Sequence, residues 1–377
     1  MKISLDNAYW DLQRQIGDPF ADTTIERLIA DGSFSSAREI MTLLTGNKLF
    51  LPESTPPALK EYVLQASILP EWFDPEKIKQ AERISTDFGL VGAFVLLCKS
   101  LPECYALHRG AQVLHATGRL IAHKTVVAPY IHRIMETLQF ASSVMQQGGF
   151  TENGRAIEAI LKVRLIHAAI RYFTKNSPAE WDVTELGVPI NQEDLAFTLT
   201  TFSYSVIIGS RMAGIKVSHN QRENFVHMWA VTAYLLGITP ENIPMDFEQS
   251  GILHRKILAR QAGYSPEGED LTKSLVEFMH YLCPSIITRW FTTHLIHHFV
   301  GEKVSNAIGI SSGTSRFIES AEKILHKTIN IFTTYEQSTP LFGKIMRWFT
   351  HNVVKAVLAH YSDRKSQQFQ VPESLTG

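Results

Sequence analysis

The chain has 377 residues, with 36 Lys plus Arg against 37 Asp plus Glu and a net charge of −1. A charge so near zero provides no global field for nucleic acid or an anionic bilayer. Hydrophobic residues make up 45% and aromatic residues 10%, which excludes a disordered chain and allows one large core.

The N-terminal run MKISLDNAYWDLQRQ has neither an apolar signal core nor a twin-arginine pair, so export is not expected. Cys98, Cys104 and Cys283 form no even disulfide framework and no CxxC pair. They read as reduced thiols of a cytoplasmic protein.

Apolar residues recur at three- and four-residue spacing nearly throughout, and strand-like alternation is scarce, so the expected fold is all-α. Breaks fall at LPEST (51–55), at 177–189, at ITPENIPMD (238–246) and at YSPEGED (264–270). None has the length or composition of an interdomain linker. We therefore expect one large helical domain, residues 76–361, with residues 1–75 as a helical extension packed on it and residues 362–377 as a flexible tail. The segment 197–215 is the longest candidate for a membrane span. It carries Thr, Ser and Tyr and ends near Arg211, so a buried core helix suits it better. Contact with a lipid surface stays open.

Helix starts are well marked. Asn191 precedes Gln-Glu-Asp, an Asx cap followed by acids at the positive helix end. Ser218 with Gln221 has capping-box spacing, and Gly237 ends the helix that follows. Between these signals lie two segments that carry candidate chemistry.

The first, PYIHRIMETLQF (129–140), places Arg133, Glu136 and Thr137 on one helix face. This is either an exposed Arg–Glu pair or a small polar group set in an apolar pocket. The second, in a helix expected over 152–175, is KVRLIHAAIRY (162–172). Arg164, His167 and Arg171 share one face, flanked by Val163, Ile166 and Ile170. Two positive charges oppose a third, so they favour a neutral imidazole whose lone pair could bind a metal. Two guanidiniums on such a face need anionic partners. Haem offers an iron for the histidine and two propionates for the arginines. The competing reading pairs the arginines with protein carboxylates such as Glu158 or Glu193. A third candidate is a non-haem metal site on His294, His298 and Glu302, at successive four-residue steps. Glu277 and His280 make a single ExxH, where a di-iron bundle needs two.

Taken together, SLPECYALHRGAQVLHATGRL (100–120), HRIMETLQF (132–140), KVRLIHAAIRY (162–172) and GVPINQEDLAFTLTTFS (187–203) resemble the latex clearing protein and MpaB-like oxygenases. The resemblance runs from about PEWFDPEKI (70–78) to VGEKVSNAIGI (300–310). It implies a globin-like helical core around haem b, with His167 as the proximal iron ligand and Arg164 and Arg171 beside it. It further implies that Arg133 and Thr137 are the distal polar pair. Two positions depart from the rubber-cleaving members: Glu136 stands where they carry a lysine, and Thr117 where they carry a proposed acidic base. The expected function is thus a haem-dependent oxygenase or peroxygenase using dioxygen or peroxide on an apolar, isoprenoid or lipid-like molecule, with rubber cleavage disfavoured. A haem sensor or carrier without turnover is the alternative.

Overall fold

Several helices begin where a side chain replaces the missing turn. Asp18, Asp74, Asn191, Ser218 and Asp246 each accept a hydrogen bond from a backbone N–H of the first turn. Pro19 and Pro75 follow two of these caps, where a missing N–H costs nothing. At Ser218 both halves of the capping box form with Gln221.

The computed structural model describes residues 3–32, 55–116, 128–151, 154–176, 181–282 and 286–310. In chain order the helices are α1 (Asn7–Gln13), α2 (Pro19–Ala30), α3 (Pro57–Ala66), α4 (Pro75–Val95), α5 (Leu101–Tyr105), α6 (His108–Ala116), α7 (Ala128–Met145) and α8 (Arg155–Lys175). There follow α9 (Val183–Leu186), α10 (Gln192–Thr200), α11 (Val206–Met212), α12 (His219–Leu235), α13 (Phe247–Gln261), α14 (Pro266–Leu282) and α15 (Ile286–Ala307). Among the described residues the only strand-like pairing is an isolated bridge between Leu107 and Ala262. The expected all-α architecture is what the chain adopts. The expected tail, 362–377, lies outside the described residues.

The centre is α12, buried continuously from Asn224 to Ala233 and at Leu235, so it is apolar all round rather than along one stripe. It packs on α4, with Phe225, Trp229 and Leu235 joining Ile78, Ala81 and Ile84. Ala141 and Val144 of α7 and Ala156 and Ile160 of α8 complete this cluster. The other side of α8, at Leu161, Leu165, Ala168 and Ala169, is covered by α2 and α3 through Ile25, Leu28, Leu59 and Tyr62. A further cluster joins α6, α14 and α15.

The segment 197–215 is helical without interruption as far as Met212, but its hydrogen-bond ladder changes inside it. Between α10 and α11 lies a π-helical turn, Thr201–Ser205, and a second one, Leu96–Ser100, follows α4. The two turns meet where Ser100 Oγ donates to the Thr201 carbonyl at 2.8 Å. No described helix is long and apolar enough to cross a membrane. Beside these turns Glu103 is buried. It binds Lys99 Nζ at 2.7 Å and accepts from Ser205 Oγ at 2.6 Å, with His254 Nε2 at 3.6 Å. Burial alone would raise its carboxyl; the charges and hydrogen bonds of His254 and Lys99 hold it at about 2.

Two predictions follow from these packed groups. Glu103→Ala leaves the Lys99 ammonium buried without its anion, and should lower the unfolding free energy in urea titrations by about 3–5 kcal/mol. The second concerns His227, whose Nε2 accepts the Asp74 N–H at 3.1 Å where α4 begins. Burial, then Lys77, lowers its pKa from 6.5 to about 4. The neutral ring therefore stabilises the fold above pH ~6.5, and this contribution is lost as pH falls towards 4. His227→Gln should flatten the melting temperature against pH across that window.

Candidate functional site

A turn beginning at Gln146 leads out of α7, and the Gly149 carbonyl accepts from Ala156 N–H at the start of α8 at 2.9 Å. Gly148 and Gly149 donate their N–H groups to Glu82 at 3.0 and 3.2 Å, and α7 and α8 pack together. This joins the two segments singled out in the sequence. On α7, Ile134 and Leu138 enter one core cluster while Phe140, Ala141 and Val144 enter the central one. Thr137 stands one turn before Phe140 and Ala141. On α8, His167 lies two turns beyond Ile160, itself part of the central cluster. Glu136, Thr137 and His167 are each half-buried, and His167 Nδ1 is buried. Arg133 lies on the same helix, with its side chain outside the described part; Thr117 lies outside the described residues.

An aromatic wall continues from Phe140. Its ring is 6.3 Å from Phe202 and 6.4 Å from Trp229, and Phe202 stacks on Trp229 at 4.9 Å. The π-helical turn is what sets Phe202 here while Thr201, Ser203 and Ser205 are buried. Trp229 Nε1 is buried without a hydrogen-bond partner.

The two arginines of α8 are met by partners the sequence did not suggest. Arg164 binds Asp18 through Nε at 2.5 Å and Nη2 at 2.9 Å, and donates through Nη1 to the Leu235 carbonyl at 3.2 Å. Arg171 binds Asp22 through Nε at 2.7 Å and the Ile190 carbonyl through Nη1 at 3.2 Å. Each guanidinium is thus paired inside the chain, as in the reading that gave the arginines protein carboxylates, though with different ones. The carboxylates are neither Glu158 nor Glu193. Glu158 pairs with Lys162 at 2.9 Å, and Glu193 binds Arg14 at 3.1 Å and Arg260 at 2.5 Å. One donor remains over, since Arg171 Nη2 is buried without a partner.

Backbone features fix this junction. Gly237 has φ +80°, and a Cβ there would fall on Asp18 Oδ2 and Arg164 Nε. Gln192 ties the same strip together, donating to the Gly17 and Gly237 carbonyls and accepting from Thr239 N. Ile190, whose carbonyl Arg171 holds, has φ +52°, a conformation that β-branched residues rarely adopt.

The non-haem alternative is not assembled. Gly301 has φ 77° and ψ 173°, a break inside α15. Glu302 therefore leaves the helical register that the four-residue spacing assumed. Among the described residues no group of three or more His, Cys, Asp or Glu could hold a metal ion. The thiols offer no nucleophile either: burial pushes Cys98 up, and Cys104 up to about 12. Cys283 lies outside the described residues.

Replacement of Gly237 should open this junction. Gly237→Ala combines about 1–3 kcal/mol of backbone strain with the displacement of Asp18 from Arg164. Its urea midpoint should fall clearly below that of a surface control such as Lys79→Ala, which lies on an exposed face of α4.

With the geometry in place, three comparisons bear on ancestry. Residues 89–325 match the family described as "ER-bound oxygenase mpaB/B'/Rubber oxygenase, catalytic domain". The rubber oxygenase of Streptomyces sp. (strain K30) is 25% identical over 299 residues, which is 78% of this chain and 71% of that protein. A solved structure of latex clearing protein in its closed state superposes with a TM-score of 0.73 at 21% identity, covering 92% of this chain and 91% of the other. The matched span takes in Arg133, Glu136, Thr137, Arg164, His167 and Arg171, and leaves out Asp18 and Asp22. On the strength of that match the chain belongs to the MpaB and rubber oxygenase catalytic-domain family.

Proposed function

We propose that the chain is a haem b-dependent oxygenase or peroxygenase acting on an apolar, isoprenoid or lipid-like small molecule, with dioxygen or peroxide as co-substrate. The observation that carries this reading is the packing of α7 against α8, the helices that bear Thr137 and His167. A buried imidazole nitrogen suits a haem iron, which single side chains ligate. The donor set thus fits the cofactor, whose iron His167 would hold.

When bound, haem supplies the oxygen-activating redox chemistry, and the protein contributes binding, orientation and polarity. Arg133 and the Thr137 hydroxyl would act as hydrogen-bond donors, since preorganised donors stabilise developing negative charge. Glu136 holds or relays a proton, or pairs with Arg133. Phe140, Phe202 and Trp229 exclude water and form the apolar wall. Arg164 anchors α8 through Asp18. Arg171 does the same through Asp22, and its Nη2 would be available to an anionic group of the cofactor. Glu136 and Thr117, which replace the lysine and the acid of rubber-cleaving relatives, argue against rubber as substrate. The free thiols of buried Cys98 and half-buried Cys104 support a reducing, cytoplasmic compartment.

Haemin titration into the purified chain should give a Soret band that is lost or strongly shifted in His167→Ala. Retention of the wild-type band in that variant overturns the ligand assignment. Thr137→Ala should keep the band and lower oxygen consumption with lipid substrates by about 10²–10³-fold, the scale of losing one preorganised donor. A chain that binds carbon monoxide yet turns over none of the apolar substrates is a carrier instead.

A further inference from the structure

Arg164 and Arg171 are seven residues apart, about two helical turns, and His167 lies between them. Their carboxylates come as a pair from one place. Asp18 caps α2 and Asp22 lies one turn further on, with the Asp18 N–H donating to Asp22 Oδ2 at 3.2 Å. The beginning of α2 therefore grips α8 at two points that straddle His167.

Little slack exists in this grip. Gly17 faces the Arg171 side chain and Asp22 so closely that a Cβ would lie 2.9 Å from both. Gly237 closes on Asp18 and Arg164 in the same way. Phe20, beside the cap, lies 5.6 Å under the Arg164 guanidinium. Asp18 and Arg164 are nearly buried, with side chains 4% and 12% exposed, and Arg171 is 5% exposed. In such surroundings charges interact far more strongly than in water.

We propose that Asp18 and Asp22 are positioning residues of the iron site: they fix α8 around His167 and cancel the two positive charges on either side of it. The proposal rests on the assignment of His167 as the iron's protein ligand. It gives a role in the site to a segment that precedes the matched catalytic span, residues 89–325. Groups behind a metal ligand orient it and tune the metal, and here that support arrives in two steps, carboxylate to arginine and arginine helix to imidazole. The cancellation has a sign. Neutralising either aspartate leaves an uncompensated guanidinium within about one turn of the proposed ligand, which would favour the reduced metal and raise the reduction potential. A clamp that served folding alone would lower stability and leave the potential of the folded protein unchanged.

The test uses the full chain loaded with haemin, with potentials measured by spectroelectrochemistry well below each variant's melting temperature. Asp22→Asn, on the more exposed of the two carboxylates, and Asp18→Asn should each raise the potential and speed haemin loss to an acceptor globin by about tenfold or more. Glu76→Gln, an exposed carboxylate on α4, should change neither. If Asp18→Asn does not fold, Asp18→Glu keeps the charge and should hold the potential near the wild-type value while still speeding haemin loss. Unchanged potentials in folded Asp22→Asn overturn the proposal. The Soret band of His167→Ala separates the two failures: if it matches wild type, the ligand assignment is wrong. If it is lost while the aspartate variants keep the wild-type potential, only the clamp is wrong.

Discussion

Two arginines on the inner helix of a packed bundle must be neutralised, because a buried guanidinium without an anion costs several kcal/mol. Much of the arrangement around α8 answers that requirement. The chain brings α2 across α8 so that Asp18 and Asp22 reach Arg164 and Arg171. It leaves glycine at 17 and 237, where any side chain would intrude. It also holds Ile190 in a left-handed conformation with its carbonyl turned to Arg171. A similar ionic knot fastens α1: Arg14 binds Glu193 and Asp194, and Arg260 joins Glu193 to Asp11. The N-terminal helices are thus keyed to the helices of the matched domain by buried charge as well as by apolar contact.

The fold was legible where its signals were local. The caps at Asn191 and Ser218 and the stop at Gly237 depend on residues within a few positions of one another, and each is found where the pattern places it. The all-α class follows in the same way from periodicity. The π-helical turn at Thr201–Ser205 was not legible, since one extra residue in a helical ladder leaves no composition signal. Its effect is large even so, because it shifts the register inside an otherwise continuous helix and delivers Phe202 to Trp229.

The site was only partly legible, for a related reason. Helical spacing correctly gathers Arg164, His167 and Arg171 on one helix, and separately Arg133, Glu136 and Thr137 on another. That the two helices pack together follows from the short Gly148–Gly149 turn between them. The partners of the arginines could not be found this way. Asp18 and Arg164 are separated by 146 residues, and Asp22 and Arg171 by 149, and nothing in GDPFAD except its Asp-Pro cap marks it as special. Spacing also misled at His294, His298 and Glu302, where the glycine at 301 breaks the helix that the pattern assumed.

The most direct measurement of the central claim replaces the His167 side chain from solution. In haemin-loaded His167→Gly, added imidazole should restore the wild-type absorption spectrum in both oxidised and dithionite-reduced states, and removing it should abolish that spectrum again. A wild-type spectrum in His167→Gly without imidazole would show that another residue binds the iron, and would contradict the site described for α8.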